Sequence, residues 1–372
     1  MSKRKPFDLK SPEAQTLRDE IVHGTFVKEG TLVAFPLCFP GCSAPVVADE
    51  SHITALDVAP NWMVYGGTSG RRTHLVVGMF HGATGIVFDM GAVDDATECT
   101  AICCGTQKFA AFVNGPSGGR AIRRALQRLP FDLLQEWGFG RQPFHDLGPI
   151  VEGERVLHAI ADPTGTRAVG ATDHHLFTLS LEEGEPQVIA ETPGAPRLAA
   201  GASGSIFGLD DGRALWRLDP ATATLERNAV PLPQGTWGAA PLVWAKDPTS
   251  ATLYTADADG RLFAFTEGQG VRGPLGQTRY APVAAMAVTL DGRLFGVCGE
   301  GIGRLFCLDP ARGELSDLGC AVSVIQRRRY GYQFADAALG RDGQVYFAED
   351  DDLGHLWIYF PRIATPRPGS PA

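Results

Sequence analysis

Six side chains of distinctive chemistry stand just ahead of, or at the start of, short apolar runs: His52, His158, Arg197, Arg279, Tyr280 and Tyr330. Between them they supply imidazoles, guanidiniums and phenols. β-Elimination beside a carboxylate needs these three types: a cation to neutralise the acid, a base for the α-proton and an acid for the leaving oxygen. Trp237, Arg327 and Tyr332 occupy comparable positions, and the face of Trp237 offers a surface on which a sugar ring can stack. A second set, His74, His175 and His355 together with Arg213, Arg261 and Arg304, follows Gly- or Asp-rich turns. Trp237, Arg327, Tyr332, His74, His175 and His355 are therefore candidate substrate contacts beside the six candidate catalytic residues. A plainer role competes throughout, because a polar residue recurring at a hairpin turn often serves the turn alone.

Other chemistries find little support. There is no Gly-x-Ser-x-Gly elbow, no phosphate-binding Gly-rich loop ending in Lys-Ser/Thr and no His-Glu-x-x-His. The 8 cysteines are scattered, and neither Cys38/Cys42 nor Cys103/Cys104 has a partner pair at zinc-site spacing. No metal and no cofactor is expected. Cys103, Cys298 and Cys307 lie in apolar runs, where a thiol acts as a small core residue. The formal charge of −9 argues against nucleic acid or an anionic membrane as partner. No apolar run approaches the ~20 residues of a membrane span. Polar residues 11–20 follow the basic N-terminus where a signal peptide would be apolar. The expected location is cytoplasmic.

What must position these side chains is a repeat. A leucine followed by a large apolar residue recurs at Leu75-Val76, Leu176-Phe177, Leu215-Trp216, Leu262-Phe263, Leu305-Phe306 and Leu356-Trp357. Each follows a Gly/Asp-rich turn, and a second apolar element precedes that turn. Two apolar runs so joined read as a β-hairpin. Tyr65, Phe112, Val169, Phe207, Tyr254, Phe295 and Tyr346 mark seven such elements, between 38 and 57 residues apart, with Phe112 in a divergent copy. Further apolar strands such as Ile53–Val58 and Val283–Val288 complete four-stranded units. A sheet with two apolar faces cannot bury them alone, so blades pack round a ring until it closes. The fold class is all-β, a seven-bladed β-propeller.

Residues 24–39, centred on Thr31-Leu32-Val33-Ala34-Phe35, are expected to supply the outer strand that clasps the last blade and covers an aggregation-prone edge. Ser11-Pro12-Glu13 predicts a short helix ending near Gly24. Ile122, Ala125, Leu126 and Leu129 recur at helical spacing and predict a helical insertion over 118–137, carrying Arg120, Arg123, Arg124 and Arg128. The organisation expected is an N-terminal helical arm (1–24), one propeller domain (25–364) and a tail (365–372).

The turns Leu308-Asp309-Pro310-Ala311-Arg312-Gly313 and Leu218-Asp219-Pro220-Ala221-Thr222 resemble the repeats of quinoprotein-like and related bacterial propellers. The resemblance is at superfamily level over most of the chain. The Thr-Gly…Trp docking pattern of true quinoprotein dehydrogenases is missing, so no bound quinone is implied.

In a propeller, the loops entering each inner strand and those between second and third strands share one face, where function usually gathers. The expectation is a carbohydrate-active enzyme, a lyase acting by β-elimination on a uronic-acid oligosaccharide, with a small, anionic molecule or oligosaccharide as its partner. The alternative is a non-catalytic propeller that binds a ligand or protein with the same rim, since one fold hosts many functions. A metal-dependent lactonase ranks third, for want of a carboxylate/Asn ligand set.

Overall fold

The polypeptide closes into a ring of seven antiparallel sheets in a computed structural model that describes residues 10–12, 15, 29–35, 45–47, 50, 52–81, 84–127, 143–194, 197–210, 212–323 and 330–362. The inner strands are His52–Val58, Glu98–Cys104, Val156–Ala161, Ala199–Ala200, Trp244–Lys246, Val283–Val288 and Phe334–Leu339. Each blade then steps outward strand by strand. The first, for example, continues through Val64–Ser69, Thr73–His81 and Thr84–Val93.

All seven marker residues of the repeat lie in second strands and are buried. The leucine–aromatic step has a geometric reason. In three blades the aromatic of the third strand stands directly opposite a glycine of the second: Phe177 opposite Gly170, Trp216 opposite Gly208 and Phe306 opposite Gly296. A Cβ on Gly208 would come within 2.3 Å of the Trp216 ring. The ring lies over the missing side chain, an arrangement that shields a strand glycine. The preceding leucine takes the other face of the blade by the two-residue period of a strand.

The clasp is present. Gly30–Phe35 is the fourth strand of the seventh blade, paired in register with Leu356–Pro361 from Gly30 opposite Pro361 to Phe35 opposite Leu356. Leu32, Val33 and Ala34 are completely buried there, so the two ends of the chain are locked into one sheet.

The expected helical insertion is corrected at its start. The elements traced through the described residues are all strands, and the Gln15 amide donates to the Ser11 carbonyl at 3.1 Å, one helical turn back. Of the expected N-terminal helix only Ser11, Pro12 and Gln15 are described, and residues 128–142 lie outside the description. Where the spacing predicts the start of a helical insertion, Gly118–Ala125 is instead the third strand of the second blade, paired with Lys108–Gly115. The strand is enclosed on both faces: Ala121, Ile122, Arg123 and Arg124 are all buried. Such a strand loses its two-residue alternation, which is how its apolar positions come to imitate a helical period.

Candidate functional site

Consecutive blades are stitched along the axis by polar side chains of the inner strands. Asp336 of the seventh blade accepts the amides of Leu56 (2.8 Å) and Ala337 (2.9 Å). Asp57 of the first blade accepts those of Val58 (2.8 Å) and Cys104 (2.7 Å). In the third blade Nδ1 of His158 accepts the Leu198 amide of the fourth at 3.1 Å. The Trp244 indole N–H of the fifth donates to the Arg197 carbonyl at 3.2 Å.

Those residues surround a cavity of about 390 Å³ in the central channel, to which the inner strands of all seven blades contribute. It runs from Arg197, where the fourth inner strand begins, to Asp162, Pro163 and Lys246, where the third and fifth end. Leu56, Ile160, Val243 and Met286 supply apolar wall. Such a volume, with an apolar wall and a few convergent polar groups, is that of a small-molecule site.

Its electrostatics follow from enclosure. Burial, reinforced by the charge of Arg197, pushes the His158 imidazole down to about 3, so it is neutral at physiological pH. With Nδ1 accepting from Leu198, the proton of the neutral ring sits on Nε2. Burial pushes the Asp57 carboxyl up to about 6, against the pull of its two amide donors. Asp336 is raised by burial as well, tempered by Arg197. The Arg197 guanidinium makes no hydrogen bond or ion pair among the described residues, although the peptide that follows it is fixed, its carbonyl accepting from Trp244 and the Leu198 N–H donating to His158.

Of the six candidate catalytic residues, the cavity therefore gathers two, His158 and Arg197. The others lie off its lining. His52 is at the mouth of the first blade, with Nδ1 2.9 Å from Asp350 Oδ1, a hydrogen bond that holds its imidazole above the usual range. Tyr280 is flanked by the guanidiniums of Arg279 (5.5 Å) and Arg304 (5.6 Å), and Arg279 also reaches Asp317 at 3.3 Å. Tyr330 neighbours Tyr332, ring centroids 6.4 Å apart. Trp237 packs its ring on Phe263 (4.8 Å) and donates to the Pro233 carbonyl. Arg327 lies outside the described residues.

The positions that open third strands share a different arrangement. In five blades an imidazole or guanidinium is paired with a carboxylate: His74 with Asp89 (3.1 Å), His175 with Glu154 (2.8 Å), Arg261 with Asp257 (2.8 Å), Arg304 with Asp317 (2.8 Å) and His355 with Glu349 (2.9 Å). The same or a neighbouring acid caps several of these turns, as Glu349 does for the His355 amide (2.7 Å) and Asp257 for the Arg261 amide (3.0 Å). His355 is fully enclosed and His74 nearly so, which takes both out of reach of a ligand on the rim. The recurrence seen in the sequence marks an internal latch at these two positions.

Asp57, Asp336, Trp244 and Lys246 are absent from the sequence-derived candidates. One signal was available for the acids: each interrupts an apolar inner strand, where Asp is depleted. Among the described residues no group of three or more His, Cys, Asp and Glu side chains is arranged to hold a metal ion.

No family model matches the chain, and no curated protein matches it. Among solved structures it is similar to the extracellular domain of the putative one-component system BT4673 from B. thetaiotaomicron, with a TM-score of 0.52 and 11% identity. The match covers 85% of this chain but only 39% of the other. At that identity the likeness is one of fold.

Proposed function

We propose that this chain is a ligand-binding propeller that holds a small polar molecule in its central channel, anchored by Arg197. One observation carries the reading: a guanidinium without a hydrogen-bond or ion-pair partner among the described residues faces a cavity of about 390 Å³. The fixed fork of donors on a guanidinium suits bidentate recognition of an acceptor placed in that cavity.

Elimination on a uronic-acid oligosaccharide is the more specific reading, and it asks more of the site. Arg197 and His158 share the cavity, but His158 has one nitrogen occupied and lies far below the pKa of an effective base at neutral pH. Tyr280, Tyr330 and Arg279 stand off the lining. Binding without turnover is thus the favoured reading.

The test is calorimetry and thermal shift against a panel of small carboxylates, phosphates, neutral sugars and oligogalacturonates, with Ala200→Phe as a channel-filling variant. The expected result is stabilisation by at least one compound, abolished by the filler. Shifts indifferent to Ala200→Phe would put the site elsewhere. An ultraviolet-absorbing unsaturated product, formed by the wild type and not by His158→Ala, would restore the lyase.

A further inference from the structure

Building on the channel reading, we infer that the ligand is a hydroxylated carboxylate of sugar size, its carboxylate seated on Arg197 and the Nε2–H of His158 and its hydroxyls on Asp57 and Asp336. One cavity gathers the unspent donors and acceptors that such a molecule needs. On the donor side, the five guanidinium N–H groups of Arg197 are not engaged by any described residue. The Leu198 amide occupies Nδ1 of His158, which leaves an Nε2–H with no protein acceptor among the described residues. A neutral imidazole donor beside a guanidinium fits an acceptor-only group, and a carboxylate is the compact group of that kind.

On the acceptor side, each oxygen of Asp57 takes one backbone amide, and so does each oxygen of Asp336. A carboxylate oxygen has two lone pairs; the Cys104 thiol takes one more on Asp57, so the two acids together keep three in hand, two of them on Asp336. They belong to neighbouring blades joined through Leu56, and Asp336 lies close enough to Arg197 to feel its charge. Acceptors that repel a second carboxylate but take O–H groups select alcohols. Leu56, Ile160, Val243 and Met286 then cover the carbon skeleton. Asp162 adds nothing to this count, because its Oδ1 already accepts the Thr166 and Arg167 amides and its Oδ2 the Thr164 hydroxyl. Lys246, exposed at the far end, would favour a second acid group there, which makes a sugar diacid an informative competitor.

Three matched probes separate the elements of the inference: D-galacturonate, with carboxylate and hydroxyls; D-galactose, with hydroxyls only; and cyclohexanecarboxylate, with the acid only. Calorimetry on the full chain should find galacturonate bound at least about 10-fold (about 1.4 kcal/mol) more tightly than either of the others, a margin that one hydrogen bond to a charged group supplies. Arg197→Met should erase the preference for galacturonate over galactose. His158→Gln should weaken it by about 10-fold. Asp336→Asn should instead narrow the gap between galacturonate and cyclohexanecarboxylate.

Equal binding of galactose by the wild type overturns the anionic half. Equal binding of cyclohexanecarboxylate overturns the hydroxyl half, and a diacid bound more tightly than galacturonate overturns the single-acid assignment. If none of the probes binds while another panel compound does so in a manner sensitive to Ala200→Phe, this inference fails and the channel reading stands. If nothing responds to that filler, both fail.

Discussion

The Leu198 amide donates to Nδ1 of His158 at 3.1 Å, so the residue that follows Arg197 sets the tautomer of the imidazole beside it. One strand junction thereby prepares two neighbouring donors, a guanidinium and an Nε2–H. Prepositioned donors lose less on binding than donors that must first be ordered.

His158 should stay uncharged through the range where exposed histidines titrate. In nitrogen-15 NMR its ring should show the Nε2–H tautomer and no titration from pH 8 to about 4, given the folded value of about 3. His52, raised by its bond to Asp350, should titrate above the ordinary value of 6.5. The stability consequences have opposite signs. The unfolded chain protonates His158 below 6.5 while the folded one resists, so its contribution is lost as pH falls from 6.5 towards 3. His52 contributes stability that is complete below 6.5 and lost as pH rises through its raised folded value. Titration of the His158 ring near pH 6 would contradict the assigned environment.

Arg197→Met should fold with a melting temperature close to that of the wild type. Its guanidinium leaves no described partner orphaned when it goes. Two readouts should move nonetheless: the His158 imidazole should rise, and Asp336 should rise further, as the Arg197 charge that acts on both is removed. A large loss of stability would mean that Arg197 is structural.

Asp57 carries its own pH signature. Its carboxyl lies at about 6 when folded, against an ordinary value of 3.8. The contribution it makes is full below 3.8 and declines as pH rises through 6, by up to about 3 kcal/mol at roughly 1.4 kcal/mol per unit. The stability of Asp57→Asn relative to wild type should therefore improve by up to that amount between pH 4 and pH 7 in denaturant titrations. A difference flat with pH would refute the shift.

The latches should not be equivalent. His355→Ala leaves Glu349 inside the protein without its imidazole and should cost about 3–5 kcal/mol in chemical denaturation. His175, whose side chain is one-third exposed, pairs with Glu154 at the surface, and His175→Ala should cost about 1 kcal/mol or less. Equal costs would show that burial does not set the strength of these pairs.

Closure offers the last test. Leu32→Ala in the clasp strand removes a completely buried side chain and should cost about 2–5 kcal/mol. Deleting residues 30–35 should bare the edge of Leu356–Pro361 and raise the aggregated fraction in light scattering.

Most of the architecture could be read in the sequence because a strand blade imposes its pattern locally. Seven buried marker residues at similar spacing, the Leu-Phe and Leu-Trp steps and the apolar run Thr31–Phe35 are each local consequences of burying one sheet against the next. The same locality misled at Gly118–Ala125, where burial on both faces erased the alternation that distinguishes a strand. The site was another matter. Which of many His, Arg and Tyr residues share a cavity depends on how seven inner strands converge, and their contributors lie between Leu56 and Asp336 in the chain. His74, His355 and Arg197 were all candidate ligand contacts, yet carboxylates from the same blade claim the two imidazoles, while no described residue claims the Arg197 guanidinium. Residue types and repeat period were decided by the chain itself. Pairing, enclosure and the charge state of His158 were decided only in three dimensions, because each depends on neighbours that are distant in sequence.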